Sequence, residues 1–420
     1  MRTRLTNTLA LTITLGTLGC SSHDNKATPD APAQADAAPQ PDAPVSQDGV
    51  VAIPLTALGG GYSAQMKLGG QAFDVIVDTG STTTAVADSA CTNCNVHPAY
   101  MSSGGTDLHQ TATAQYGSGS WKGECFEDGA IMGTRSAVTL DFASITSQTG
   151  FFQQGGGYEG ILGLGPDGLL LPHTTSYLTK LIAAGMTGEV AFQLCTDNGT
   201  MWLGGFDASK AVGTPSFTPM NTAAPYDIVT VGSASVNGGT ALTGTDFGPT
   251  IIDTGTTLTY VPTAVLTAVS NAVSSSPHYA SVFGSQTIAS GTCDANAMLT
   301  TSMTPAQIDA ALPPLSVTFA GGTAAIAIPA TSSYLAEQAP GQFCFTFSDS
   351  SKLFGSSQKV SLFGNTLLSG LLTIIDVDHK QIGFALQTGC TQPTARRPLI
   401  IRRPPAFDPA TLRAIDELSP

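Results

Sequence analysis

Between residues 51 and 390 the apolar positions come in short runs broken by Gly, Ser and Thr, a pattern of strands and turns. Two stretches depart from it. Leu, Ile and Val recur at helical spacing over 176–185 and 263–274, which predicts two helices in an otherwise all-β chain. Upstream, Arg2 and Arg4 precede an apolar stretch from Leu5 to Leu18 that is too short to span a bilayer as an ordinary helix, so residues 1–20 read as a removable export signal. Residues 21–50, mostly Ala, Pro, Asp and Gln, hold almost nothing to bury and predict a disordered tether. An inhibitory propeptide over the same stretch would need more positive charge than Lys26 supplies to neutralise an acidic cleft.

A chain of 420 residues is too long for one small core. Its self-similarity shows how it divides: FDVIVDTGSTTTAV at 73–86 recurs as PTIIDTGTTLTYVP at 249–262. In each copy a β-branched, apolar run reads as a buried strand, and Asp-Thr-Gly breaks it into a turn where glycine allows close approach of a ligand. An acidic residue ending a buried strand is costly unless it is paired or used. Each copy is followed by an apolar-apolar-Gly element, Gly160-Ile161-Leu162-Gly163-Leu164 in the first half and Ser361-Leu362-Phe363-Gly364-Asn365 in the second. Two related β-rich lobes are expected, 51–222 and 223–390, with a cleft between them and an Arg/Pro-rich tail over 391–420.

Two Asp-Thr-Gly-Ser/Thr turns with these downstream elements resemble the pepsin-like aspartic proteases over about residues 51–390. The resemblance implies a bilobal all-β fold, endopeptidase activity on polypeptides, Asp78 and Asp253 as the catalytic pair, a monomer and no cofactor. It further implies that Thr79 and Thr254 bond across the lobe interface and that Ser81 and Thr256 orient the outer carboxylate oxygens. Gly80, Gly255 and Thr257 would grip the substrate main chain, with Tyr116, Gly117 and Ser118 forming the flap over it. The pattern Tyr116, Gly119, Trp121, Gly123 and Glu124 is similar to the memapsin branch, as is Ala85 where pepsin has a flap-supporting Trp. That branch also implies a lobe-bridging disulfide between Cys195 and Cys390, and the wider family a bridge between Cys293 and Cys344.

The chemistry suits the pattern. Peptide hydrolysis needs an activated water and a proton for the departing amine, and two adjacent carboxyls sharing one proton supply both. Of eight Cys, Cys91, Cys94 and Cys125 remain after those pairs and Cys20, and two of the three are expected to pair. Cys91-x-x-Cys94 lacks a second ligand pair, so no metal is expected. Gly16-Thr17-Leu18-Gly19-Cys20 resembles a bacterial lipoprotein signal, which implies lipid at Cys20 and an outer-membrane or secreted location.

A net charge of −14 with 16 Lys and Arg excludes a nucleic-acid-binding face. The one basic cluster, Arg396, Arg397, Arg402, Arg403 and Arg413, reads as a solvated tail. Two rival functions fit the residues less well. A phosphoryl-transfer protein of actin-like or ion-pump type fits poorly, because Thr254 stands where a pump has Lys and an exported chain does not meet cytosolic ATP. A non-catalytic pepsin-like binding protein would keep the fold, but both Asp turns and Tyr116 are intact.

Overall fold

The computed structural model describes residues 49–152, 156–236, 241–288, 293, 298–356, 358–390 and 401–403, with 415 and 418. The signal, nearly all of the tether, Cys20 and most of the C-terminal tail lie outside the described residues.

The chain is predominantly β. Alternating burial within strands such as Leu315–Phe319, where every second residue is buried, is the mark of a sheet with one face on a core. Strands that carry the repeats are different: Pro249–Ile252 and Gly160–Gly163 are buried at every position, which explains their continuous apolar runs. The predicted helices form as Tyr177–Ala183, capped by the Ser176 side chain accepting from the Thr179 N–H, and Thr263–Ser274, which buries Val265, Leu266, Val269 and Val273 on one face.

The largest sheet has 13 strands and draws on both halves of the sequence. Strand Leu371–Asp376 of the second half pairs antiparallel with Glu189–Leu194 of the first, Ile374 opposite Ala191, and with Gln381–Gln387 on its other side. An eight-stranded sheet holds the second repeat. The two halves therefore share a hydrogen-bonded floor rather than merely abutting.

Each Asp-Thr-Gly strand runs parallel to its own apolar-apolar-Gly strand. Asp78 lies opposite Gly163, and Ile252 opposite Phe363. The glycines are required there because the Asp turns fold directly over them. A Cβ on Gly163 would fall 2.3 Å from the Thr82 carbonyl carbon, and one on Gly364 2.3 Å from the Leu258 carbonyl oxygen.

Three disulfides staple the described residues: Cys195–Cys390, Cys293–Cys344 and Cys91–Cys94. Cys125 is free and buried, and burial raises its thiol pKa.

Candidate active site

Asp78 and Asp253 end their buried strands side by side, 2% and 1% exposed. Each carboxylate is held in the same way. The Gly80 N–H donates to Asp78 Oδ1 at 2.8 Å and the Ser81 hydroxyl to Oδ2 at 2.5 Å. The Gly255 N–H donates to Asp253 Oδ1 at 2.7 Å and the Thr256 hydroxyl to Oδ2 at 2.6 Å.

Behind the carboxyls the two threonines interlock. The Thr79 N–H donates to Thr254 Oγ1 at 3.1 Å, and the Thr254 N–H to Thr79 Oγ1 at 3.0 Å. Each hydroxyl then donates onward to the opposite strand, Thr79 to the Ile252 carbonyl at 2.9 Å and Thr254 to the Val77 carbonyl at 3.0 Å. Four buried bonds thus fix the two turns to each other, so the carboxyls cannot drift apart without leaving buried polar atoms unsatisfied.

Both carboxyls are raised above the ordinary range. For Asp78 burial is the largest cause and the Asp253 charge the next, opposed by the bonds from Ser81 and Gly80. For Asp253 burial again leads, opposed by Thr256 and Gly255. The hydrogen bond between the two carboxyls raises Asp78 and lowers Asp253. A pair in this state holds a proton between its members in acid and gives it up as the pH rises.

Strands Thr106–Tyr116 and Gly119–Ile131 form the hairpin whose turn is Gly117-Ser118. Tyr116 is buried against Phe151, ring centroids 5.4 Å apart, and with Ser118 and Gly255 lines the cavity that Asp78 faces. Thr257 borders a second cavity with Gly60 and Gly61, its hydroxyl donating to the Gly60 carbonyl at 2.8 Å. Of the site residues expected from the sequence, Asp78, Tyr116, Ser118 and Gly255 line the cavity that Asp78 faces.

Three participants carried weaker sequence signals. Asn365, directly after the second apolar-apolar-Gly, donates from Nδ2 to the Thr254 carbonyl at 2.7 Å and to the Gly60 carbonyl at 3.2 Å. It ties the second Asp turn to the Gly60 loop. Trp121 is buried with Tyr116 in one apolar cluster that also holds Ala85. The third corrects the sequence reading: the C-terminal Arg run is not wholly a solvated tail. Arg402 is 5% exposed and lines the cavity with Asp78, while Arg403, which also lines it, is exposed.

Two mutually braced carboxyls at the junction of two β-rich halves define an aspartic protease. The chain matches the family described as eukaryotic aspartyl protease over residues 61–387 and belongs to it; it is an aspartic-type endopeptidase. It is 31% identical to an aspartic protease of Phaffia rhodozyma over 77% of this chain and 76% of that one. A vacuolar aspartic protease of Candida albicans is 29% identical over 49% of this chain and 52% of its own length, and pepsin-2B of Gadus morhua is 24% identical over 75% and 92%.

Proposed function

We propose that the chain cleaves internal peptide bonds of polypeptides in acid, with Asp78 and Asp253 acting as one unit on an attacking water. The ionised member takes a proton from the water as its oxygen bonds to the scissile carbonyl carbon, and the protonated member gives its proton to the carbonyl oxygen. In the second step the member that took the water's proton gives it to the amide nitrogen, the other takes a proton from a gem-diol hydroxyl as the carbonyl re-forms, and the C–N bond breaks, so the dyad holds one proton throughout. Gly80, Gly255 and Thr257 hold the substrate main chain from below, and the Tyr116–Ser118 turn holds it from above.

The observation that carries this reading is the matched bracing of the two buried carboxyls, each with one backbone N–H and one hydroxyl. Buried carboxyls so close are kept in a single-proton state by their own repulsion.

Placement near the memapsin branch is supported by Ala85 and Trp121 sharing a cluster with Tyr116, and by the Cys195–Cys390 bond. The monomeric enzyme is exported and held at a membrane surface by lipid on Cys20, with residues 21–50 as a leash. Its location is then extracytoplasmic, outer-membrane if the signal is of the bacterial type.

Digestion of a denatured proteome at several pH values tests the activity. Asp78→Asn and Asp253→Asn should each lower turnover by at least about 10³-fold while the fold, read by circular dichroism, persists. A statine-type inhibitor should block cleavage and a chelator should not. Wild-type turnover in either variant, or cleavage best above neutral pH, would overturn the proposal.

A further inference from the structure

Arg402 and Arg403 line the cavity that Asp78 faces. The Thr257 N–H donates to the Arg402 carbonyl at 3.1 Å, and the Arg402 N–H donates to Thr257 Oγ1 at 2.8 Å. This two-point clasp takes up both main-chain groups of one residue, one from the Thr257 backbone and one from its hydroxyl, much as β-strand addition secures a peptide. The Arg402 side chain runs against the Gly60-Gly61 loop, where a Cβ on Gly61 would come within 3.2 Å of its Cδ and Nε. Its guanidinium sits 4.5 Å from the centre of the Tyr158 ring, a cation–π contact. Further along, Ile415 is fully buried in the apolar cluster of Tyr226, Leu258, Tyr260 and Leu362, so the segment is anchored beyond the cleft as well.

We infer that the C-terminal segment at Arg402 is an autoinhibitory strand that occupies the substrate cleft and must be displaced by polypeptide substrates. The inference rests on the cleft being the substrate site proposed above. Three features make the segment an occupant rather than a substrate.

First, it is covalently attached. Short tethers give effective concentrations on the order of millimolar, so a segment that binds as a free peptide with a Kd of about 0.1 mM fills the cleft roughly nine-tenths of the time. That occupancy lowers kcat/KM about tenfold. Second, Arg403 is followed in the sequence by Pro404 and Pro405, so the next two peptide bonds end on nitrogens that lack an N–H and have fixed φ. Third, the Arg402 Nε and Nη2 are buried without an acceptor among the described residues. The ring face offsets only part of that desolvation, which limits affinity and keeps the strand displaceable.

The test compares the full-length wild type with full-length Arg402→Glu/Arg403→Glu. The double variant should show kcat/KM raised about tenfold, carried by KM with kcat nearly unchanged. A synthetic peptide of residues 399–405 should inhibit it competitively, and the same peptide with both arginines replaced by glutamate should not. Equal KM in the two proteins, together with no inhibition by the peptide, would overturn the inference.

Hydrogen exchange at the Thr257 amide reads the clasp without any turnover. Slower exchange in the wild type than in the double variant supports the strand even if neither protein cleaves, in which case the catalytic reading alone fails. Equal exchange overturns it. If the double variant does not fold, a statine-type inhibitor added to the wild type gives the answer: it should speed exchange at the Arg402 amide, and an unchanged rate would refute displacement.

Discussion

Asp227 lies outside the catalytic pair, and its ionisation should set part of the alkaline limit of the fold. It precedes strand Ile228–Val236, is 2% exposed, and its backbone carbonyl accepts from the Ile252 N–H at 3.0 Å, next to Asp253. Its side chain borders a cavity of about 250 Å³ lined by Leu164, Leu178, Ile182, Met220 and Tyr226, with Asp167 and Lys380 also on the wall. The Oδ2 atom has no hydrogen-bond partner among the described residues. Burial alone pushes the pKa from 3.8 up to about 7. A raised folded-state pKa means that the folded protein binds the proton more tightly than the unfolded chain. The stabilisation is therefore complete below about pH 4, declines as the pH rises, and is gone above about 7. Three pKa units at about 1.4 kcal/mol each give roughly 4 kcal/mol.

In Asp227→Asn that loss cannot occur. Between pH 3.5 and 7.5 the wild-type Tm should fall by roughly 5–10 °C more than the variant's, measured by scanning fluorimetry. Burial also raises Asp78, Asp253 and Glu189, so the absolute slope is a sum and only the difference between the two curves belongs to Asp227. Parallel curves would refute the argument.

Two further outcomes follow from the covalent frame and the leader. Cys195→Ser opens a loop of 195 residues, for which chain entropy gives roughly 4–5 kcal/mol, so the urea midpoint should drop well below the wild type's; an unchanged midpoint would show that the shared sheet holds the two halves unaided. Cys20→Ser should move the protein from the membrane to the soluble fraction on cell fractionation, and continued membrane association would reject the lipid anchor.

The chemistry was legible because it contradicts its surroundings: a carboxylate closing a run of buried, mostly β-branched residues appears twice in the sequence, and Asp78 of one copy and Gly255 of the other line one cavity. The helices Tyr177–Ala183 and Thr263–Ser274 were legible from their period. Other features depend on pairing partners far apart in the chain. Strand Leu371–Asp376 reads as any buried strand, and nothing local shows that it joins the first half's sheet beside Glu189–Leu194. Asp227 stands at the head of an apolar run much as Asp253 stands at the end of one, but no Thr-Gly turn follows to distinguish a working acid from a buried one. Arg402 was misread because a basic, proline-flanked run has the composition of a solvated tail. Its burial comes from the Thr257 clasp and the Tyr158 ring, neither of which is near it in sequence.

The hairpin of Thr106–Tyr116 and Gly119–Ile131 places an indole beside Tyr116 where Ala85 cannot reach. Ala85 is fully buried and too small to reach Tyr116 from the strand beneath it. Trp121 is on the flap hairpin itself, opposite Ala114, and the Tyr116 hydroxyl stands beside Trp121 and Ser81. Trp121 and Tyr116 thus belong to one hairpin, whereas Ala85 lies on the separate strand Ala85–Ala87. Tyr116 also packs on Phe151 and stands near Ser81, neither of which belongs to that hairpin. Because Ser81 also donates to Asp78, the position of the Tyr116 hydroxyl and the bracing of the first carboxyl share one hydroxyl, so a shift of either acts on the other through Ser81.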